Sequence, residues 1–109
     1  MGRLVPLYLA LMGLLTTSCV SWQAAQLYQR GTLALDQGEN QRAIADLERA
    51  TELAPHGSEV RNHLGLAYLA AGDREAAQRA FERAIALDCE NQAARRNLWA
   101  MRQPRAEGR

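Results

Sequence analysis

Two cysteines and two histidines are the side chains here best suited to nucleophilic or metal chemistry, and their spacing gives them little to do together. Cys19 and Cys89 lie far apart, and there is no Cys-x-x-Cys, His-x-x-x-His or His-Glu-x-x-His. A metal centre is therefore unsupported. No Gly-rich phosphate loop and no Gly-x-Ser-x-Gly elbow occurs either. His56 falls in a stretch rich in turn residues and His63 in a helical one, and both read as solvated or helix-surface histidines. Cys89 follows a helical segment, a setting that does not favour a thiolate. The residues predict no enzyme, no catalytic group, no metal, no cofactor and no small-molecule substrate.

The scaffold is correspondingly small. The chain has 109 residues, of which 48% are apolar and 23% charged, the balance of a globular protein too short for a deep cleft. Ala, Leu, Arg, Glu and Gln dominate, with three Pro and one Phe, which favours helices over a multi-stranded sheet. All 13 basic residues are Arg, set against 12 acids, for a net charge of +1. That total carries no nucleic-acid footprint. The charge is unevenly spread, however. Residues Cys19–Ala94 hold seven Arg and eleven acids, whereas Arg95, Arg96, Arg102, Arg105 and Arg109 face only Glu107. A basic end on an acidic body suits a charged partner or an anionic surface, or is simply a solvated tail.

Residues 1–19 differ from the rest. Arg3 is followed by LVPLYLALMGLL (Leu4–Leu15) and then Thr16-Thr17-Ser18-Cys19. A basic start, an apolar run of about a dozen residues and small residues at its end are the parts of a secretory signal. The run is short of the roughly 20 residues that span a bilayer. Pro6 stands where N-myristoylation needs Ser or Thr. Leu15-Thr16-Thr17-Ser18-Cys19 resembles a bacterial lipobox, with Thr16 where Leu is commonest. That resemblance implies a signal peptide over 1–18, removed to leave a lipid-bearing Cys19 as the first residue. It implies a palmitoylated lipoprotein of the cell envelope, and Val20 after the cysteine implies the outer membrane, facing the periplasm. Two or three acyl chains anchor stably where one does not. The alternative is a plain signal peptide with Cys19 incidental, in which case a Cys19–Cys89 bridge is conceivable.

The remainder repeats. With Ala24–Gly57 set under Ser58–Asn91, the pairs Gly31/Gly65, Leu35/Leu69, Gly38/Gly72, Ala43/Ala77, Glu48/Glu82, Arg49/Arg83, Ala50/Ala84 and Leu53/Leu87 are identical without a gap. Each copy holds two apolar stretches of helical period split by a glycine turn. Gly65, Ala77 and Ala84 are small enough for two helices to close on each other, and Tyr68 and Phe81 can fill the space around them. The spacing predicts helices near 22–36, 40–53, 58–71, 74–87 and 91–102, with Ser58 and Asp73 as N-caps and Pro55 as a stop. This period, with Leu64-Gly65-x-x-Tyr68, Gly72-Asp73 and Ala77-x-x-x-Phe81-x-x-Ala84, resembles the tetratricopeptide repeat. The first copy departs from it at Arg30 and Ala34, and Cys89 replaces the usual final Pro.

The resemblance implies an all-α fold of two helical hairpins and a capping helix, a short right-handed solenoid. Its parts would be a lipidated start at 19–23, repeats at 24–57 and 58–91, a capping helix at 92–102 and a flexible basic tail at 103–109. It implies a protein–protein interaction scaffold whose first helices line a groove. The matching inward positions are Tyr28 and Thr32, Asn62 and Leu66, and Arg96 with Ala100. The implied partner is another envelope protein or a peptide segment, in pilus, secretion or cell-wall assembly. A soluble periplasmic or secreted repeat protein and a regulatory subunit of an envelope enzyme remain as alternatives.

Overall fold

The computed structural model describes residues 3–105 as five helices: α1 (Val5–Asp36), α2 (Asn40–Leu53), α3 (Ser58–Ala70), α4 (Arg74–Leu87) and α5 (Gln92–Arg102). Each packs chiefly on its neighbours in sequence, with lighter contact between α1 and α3 and between α3 and α5. That nearest-neighbour pattern is the signature of a helical solenoid. The fold is all-α, as the repeat implied.

Four of the five helices lie where the spacing put them, to within a residue at each end. The first does not: it begins at Val5, not near Trp22. Pro6 sits in its first turn, where a missing N–H costs nothing. Beyond it there is no second proline before Gln37, and the helix runs on through residues 16–22, whose own helix preference is weak, to Asp36. No helix among the described residues is long and apolar enough to cross a membrane. Residues 5–13 and 19–23 are exposed, and burial starts at Ala24. This protruding stretch gives the molecule its 79 Å long axis against 28 and 18 Å.

One spacing organises the packed helices. Ala43, Leu47 and Ala50 on α2, Ala77, Phe81 and Ala84 on α4, and Ala94, Leu98 and Met101 on α5 all follow i, i+4, i+7 and all are buried. The period carries them along one face. Leu47 and Phe81 are fully buried. Each lies against a glycine of the preceding helix. A Cβ on Gly31 would come within 2.7 Å of Leu47 Cγ, and one on Gly65 within 2.5 Å of Phe81 Cε1. Around Leu47 a first cluster joins Ala34, Ala43, Leu64 and Ala67. Around Phe81 a second joins Ala77, Leu98 and Met101, with Leu66, Leu69 and Ile85 packed on it. The fifth helix thus covers Phe81 and Ile85, as expected of a cap.

Turns close each hairpin in one way. Gly38 and Gly72 have φ of 75° and 85°, the left-handed conformation glycine tolerates. The next amide then reaches back across the helix end: Glu39 N–H donates to the Ala34 carbonyl and Asp73 N–H to that of Tyr68, both at 2.9 Å. Asp73 also caps α4 by accepting from the Ala76 amide at 3.0 Å. Ser58 is not a cap. It lies inside α3, and its hydroxyl donates to the Ala84 carbonyl of α4 at 2.8 Å. The cap missed by sequence is Asn91, whose side-chain oxygen accepts from the Ala94 amide at 3.0 Å.

Phe81→Ala opens a cavity at the junction of α3, α4 and α5, and costs about 3–5 kcal/mol. Gly65→Ala forces a methyl into the Phe81 ring and costs about 1–3 kcal/mol. Thermal melts of the two variants check both, the midpoint falling about 4–8 °C per kcal/mol.

Candidate functional site

The six positions of the implied groove differ in what they offer. Tyr28, on α1, is half-buried against α3. Its hydroxyl donates to Glu59 Oε1 at 3.0 Å and lies 3.2 Å from His63 Nδ1. The two rings meet edge to face, with centroids 5.2 Å apart at 84°. His63 Nδ1 also sits 3.0 Å from the Glu59 carbonyl. His63 is therefore a half-buried histidine on the surface of α3, within the solvated or helix-surface reading of its sequence context, and it is engaged by Tyr28. Burial first, and then the Glu59 carboxylate, push the Tyr28 hydroxyl up to about 12.

Thr32 turns its hydroxyl back onto the Tyr28 carbonyl, at 2.8 Å, so its proton is already committed. Asn62 is only 4% exposed, and its side-chain oxygen accepts from Asn97 Nδ2 at 2.9 Å. It joins α3 to α5 and is a structural tie more than a displayed contact. Leu66 is half-buried on the Phe81 cluster. Arg96 is exposed, as is Ala100.

A second tie runs beside the first. Asn91 Nδ2 donates to Ser58 Oγ at 2.8 Å, and Ser58 in turn bonds the last turn of α4. These residues edge an open pocket of about 310 Å³ lined by Ser58, Glu59, Asn62, Asp88, Asn91 and Ala93. Its charged members are both carboxylates. It can accept hydrogen bonds or a cation from a docked chain, and it holds no nucleophile paired with a base. Among the described residues no group of three or more His, Cys, Asp or Glu could hold a metal ion. Cys19 and Cys89 are free and exposed, so the bridge left open by the sequence is not formed.

Arg95, Arg96 and Arg105 are exposed at the basic end, while Arg102 pairs with Glu82 at 3.0 Å. Residues 106–109 of the expected tail, Arg109 among them, lie outside the described residues, as do Met1 and Gly2. On α3, Tyr68 donates its hydroxyl to a Glu48 carboxylate oxygen of α2. Burial, with Glu48 behind it, pushes this hydroxyl up to about 12 as well.

Family models described as tetratricopeptide repeat match residues 28–73 and 58–91. Together they run from the last third of α1 to the cap of α5. A TPR repeat-containing protein of Pseudomonas aeruginosa is 44% identical over 57 residues, covering 52% of this chain and 23% of its own length. The chain thus spans about a quarter of that relative.

The two tyrosines make stability pH-dependent in the alkaline range. Their folded hydroxyls hold protons more tightly than free tyrosine at about 10, so the contribution is complete below pH ~10 and is lost as pH rises toward ~12. With no Lys in the chain, no amine side chain titrates over that range. Melting temperature therefore holds up to pH ~10 and then falls, and a Tyr28→Phe/Tyr68→Phe variant flattens that fall.

Proposed function

The chain belongs to the tetratricopeptide repeat family, and from that premise we propose that it is a lipid-anchored adaptor of a bacterial envelope, holding a partner protein near the membrane. The repeats themselves support a protein–protein interaction role. The anchoring reading is carried by one observation: Cys19, three small polar residues after the apolar run, is exposed on α1 ahead of the first buried residue, Ala24. A lipid there would attach to a helix with no loop between it and the repeats. Residues 19–23 give a stand-off of about 7 Å at 1.5 Å per residue. Trp22, 66% exposed, lies in that stretch, where an indole suits the headgroup region.

Held this way, the acidic body carries its binding surfaces in the periplasm, and the partner is another envelope protein or a peptide segment of one. The Arg95, Arg96 and Arg105 end draws it in and Arg96 and Leu66 contact it. Pilus, secretion and cell-wall assembly are the settings in which such an adaptor serves. The outer membrane is the proposed site, by the Val20 that follows Cys19.

Mass spectrometry of the processed chain tests the anchor. A diacylglyceryl Cys19 at the mature N-terminus is expected, and Cys19→Ala accumulates unprocessed precursor. A mature chain with a free Cys19 thiol makes the protein a soluble or secreted repeat protein instead. For the partner, replacing Arg95, Arg96 and Arg105 with Gln slows association and flattens its salt dependence. Unchanged association rates at low salt exclude that end as the capture surface.

A further inference from the structure

A groove of about 350 Å³ lies along α3 and α4, away from the Asn62–Asn97 tie, with Arg61, Arg79 and Arg83 on its walls and Leu64 and Ala80 on its floor. We propose that this groove binds an acidic peptide segment, two of whose carboxylates engage Arg79 and Arg83.

The argument starts from charge. The ion pairs among the described residues are Arg30–Asp46, Arg42–Glu39, Arg49–Glu52 and Arg102–Glu82. None involves the three arginines of the groove, although acids outnumber Arg in this part of the chain. Of the nearby carboxylates, Glu48 on α2 accepts from Tyr68 and Glu82 takes Arg102 and Gln78; Glu75, exposed one turn before Arg79, forms no ion pair with it. Arg79 and Arg83 are exposed and stand one helical turn apart, where like charges repel. Arg61 adds an independent sign. Its Nε is buried with no hydrogen-bond partner, and its terminal nitrogen reaches only the Pro55 carbonyl, at 3.4 Å. Buried donors are ordinarily satisfied, so Arg61 is an under-engaged guanidinium, and it is its terminal nitrogens, with a single long bond to Pro55, that a docked chain would meet.

The geometry selects the ligand. Residues four apart on a helix hold their Cβ atoms about 5–6 Å apart. In an extended chain, side chains two apart project from one side about 6.7 Å apart. An acidic-x-acidic peptide therefore presents its carboxylates at a spacing comparable with that of the two arginine side-chain roots, and each carboxylate can accept a bidentate pair from one flexible guanidinium fork. The floor of Leu64 and Ala80 suits the methylenes of Glu. The groove admits side chains of an extended segment and no more. This deepens the protein-binding reading and rests on it.

The test uses the full chain in non-ionic detergent and a fluorescein-labelled peptide carrying Glu-Leu-Glu, with Gln-Leu-Gln as control. The Glu peptide should give a saturable anisotropy rise that weakens as salt goes from about 50 to about 300 mM. R79Q/R83Q should lose about tenfold in affinity while keeping its helical circular dichroism and melt. R42Q/R49Q, at two exposed arginines already paired locally with Glu39 and Glu52, should change it less than about twofold. R79K/R83K, which keeps the charge and loses the forks, should fall between and serves if the Gln variant melts early. Equal binding of the Gln peptide, or wild-type affinity in R79Q/R83Q, overturns the proposal. So does a pair of arginines that matter for binding phosphatidylglycerol vesicles and not for the peptide. The assay needs neither lipid on Cys19 nor a native partner, so its failure and that of the anchor are read separately.

Discussion

Everything in this fold hangs on how closely two helices can meet. Gly31 and Gly65 leave no side chain where Leu47 and Phe81 enter, and the would-be Cβ contacts of 2.7 and 2.5 Å show that no other residue fits without displacement. Close approach lets a large apolar side chain fill the hairpin from one side while Ala43, Ala50, Ala77 and Ala84 keep the other side thin. Where the pattern would place a third such glycine stands Trp99, which is 67% exposed. No described helix packs over it, so α5 lacks the close glycine approach that builds the two hairpins.

Once the hairpins are set, polar ties fix one against the next. Ser58, Ala84 and Asn91 link α3, α4 and α5, and Asn62 with Asn97 repeats the link a turn further on. Between the repeats Tyr28 and Tyr68 do similar work, each anchored on a carboxylate of the neighbouring hairpin, Glu59 and Glu48. The inter-helix surface is thus half apolar filling and half directional bonding. Directional bonds specify the angle between hairpins as well as their contact.

The hairpins were legible because their determinants are local. A period of 34, a glycine at each turn and the i, i+4, i+7 apolar rows need only the sequence within one repeat. The start of α1 was not, since the change from apolar run to repeat at Cys19 alters composition without breaking the helix. The site was less legible still. Asn62 reads as a groove position and is spent on Asn97, 35 residues away. His63 reads as solvated or helix-surface, and nothing in its own stretch names Tyr28, which it meets at the same separation. Arg61, Arg79 and Arg83 look like surface charges until α3 and α4 bring them round one groove. Such pairings depend on how helices are rotated against one another, which no single stretch of sequence states.

The unbroken run of α1 from Val5 to Asp36 has a consequence for orientation. A flexible leader would let the repeats swivel freely, whereas a helix transmits angle. Each residue of it turns the chain by about 100°. Inserting one residue between Cys19 and Ala24 would therefore swing every downstream surface by that angle about the helix axis, and inserting seven would return it to within about 20°. Whatever grips the exposed end of this helix sets the compass bearing of both faces of the solenoid, and the length of the exposed segment acts as its dial.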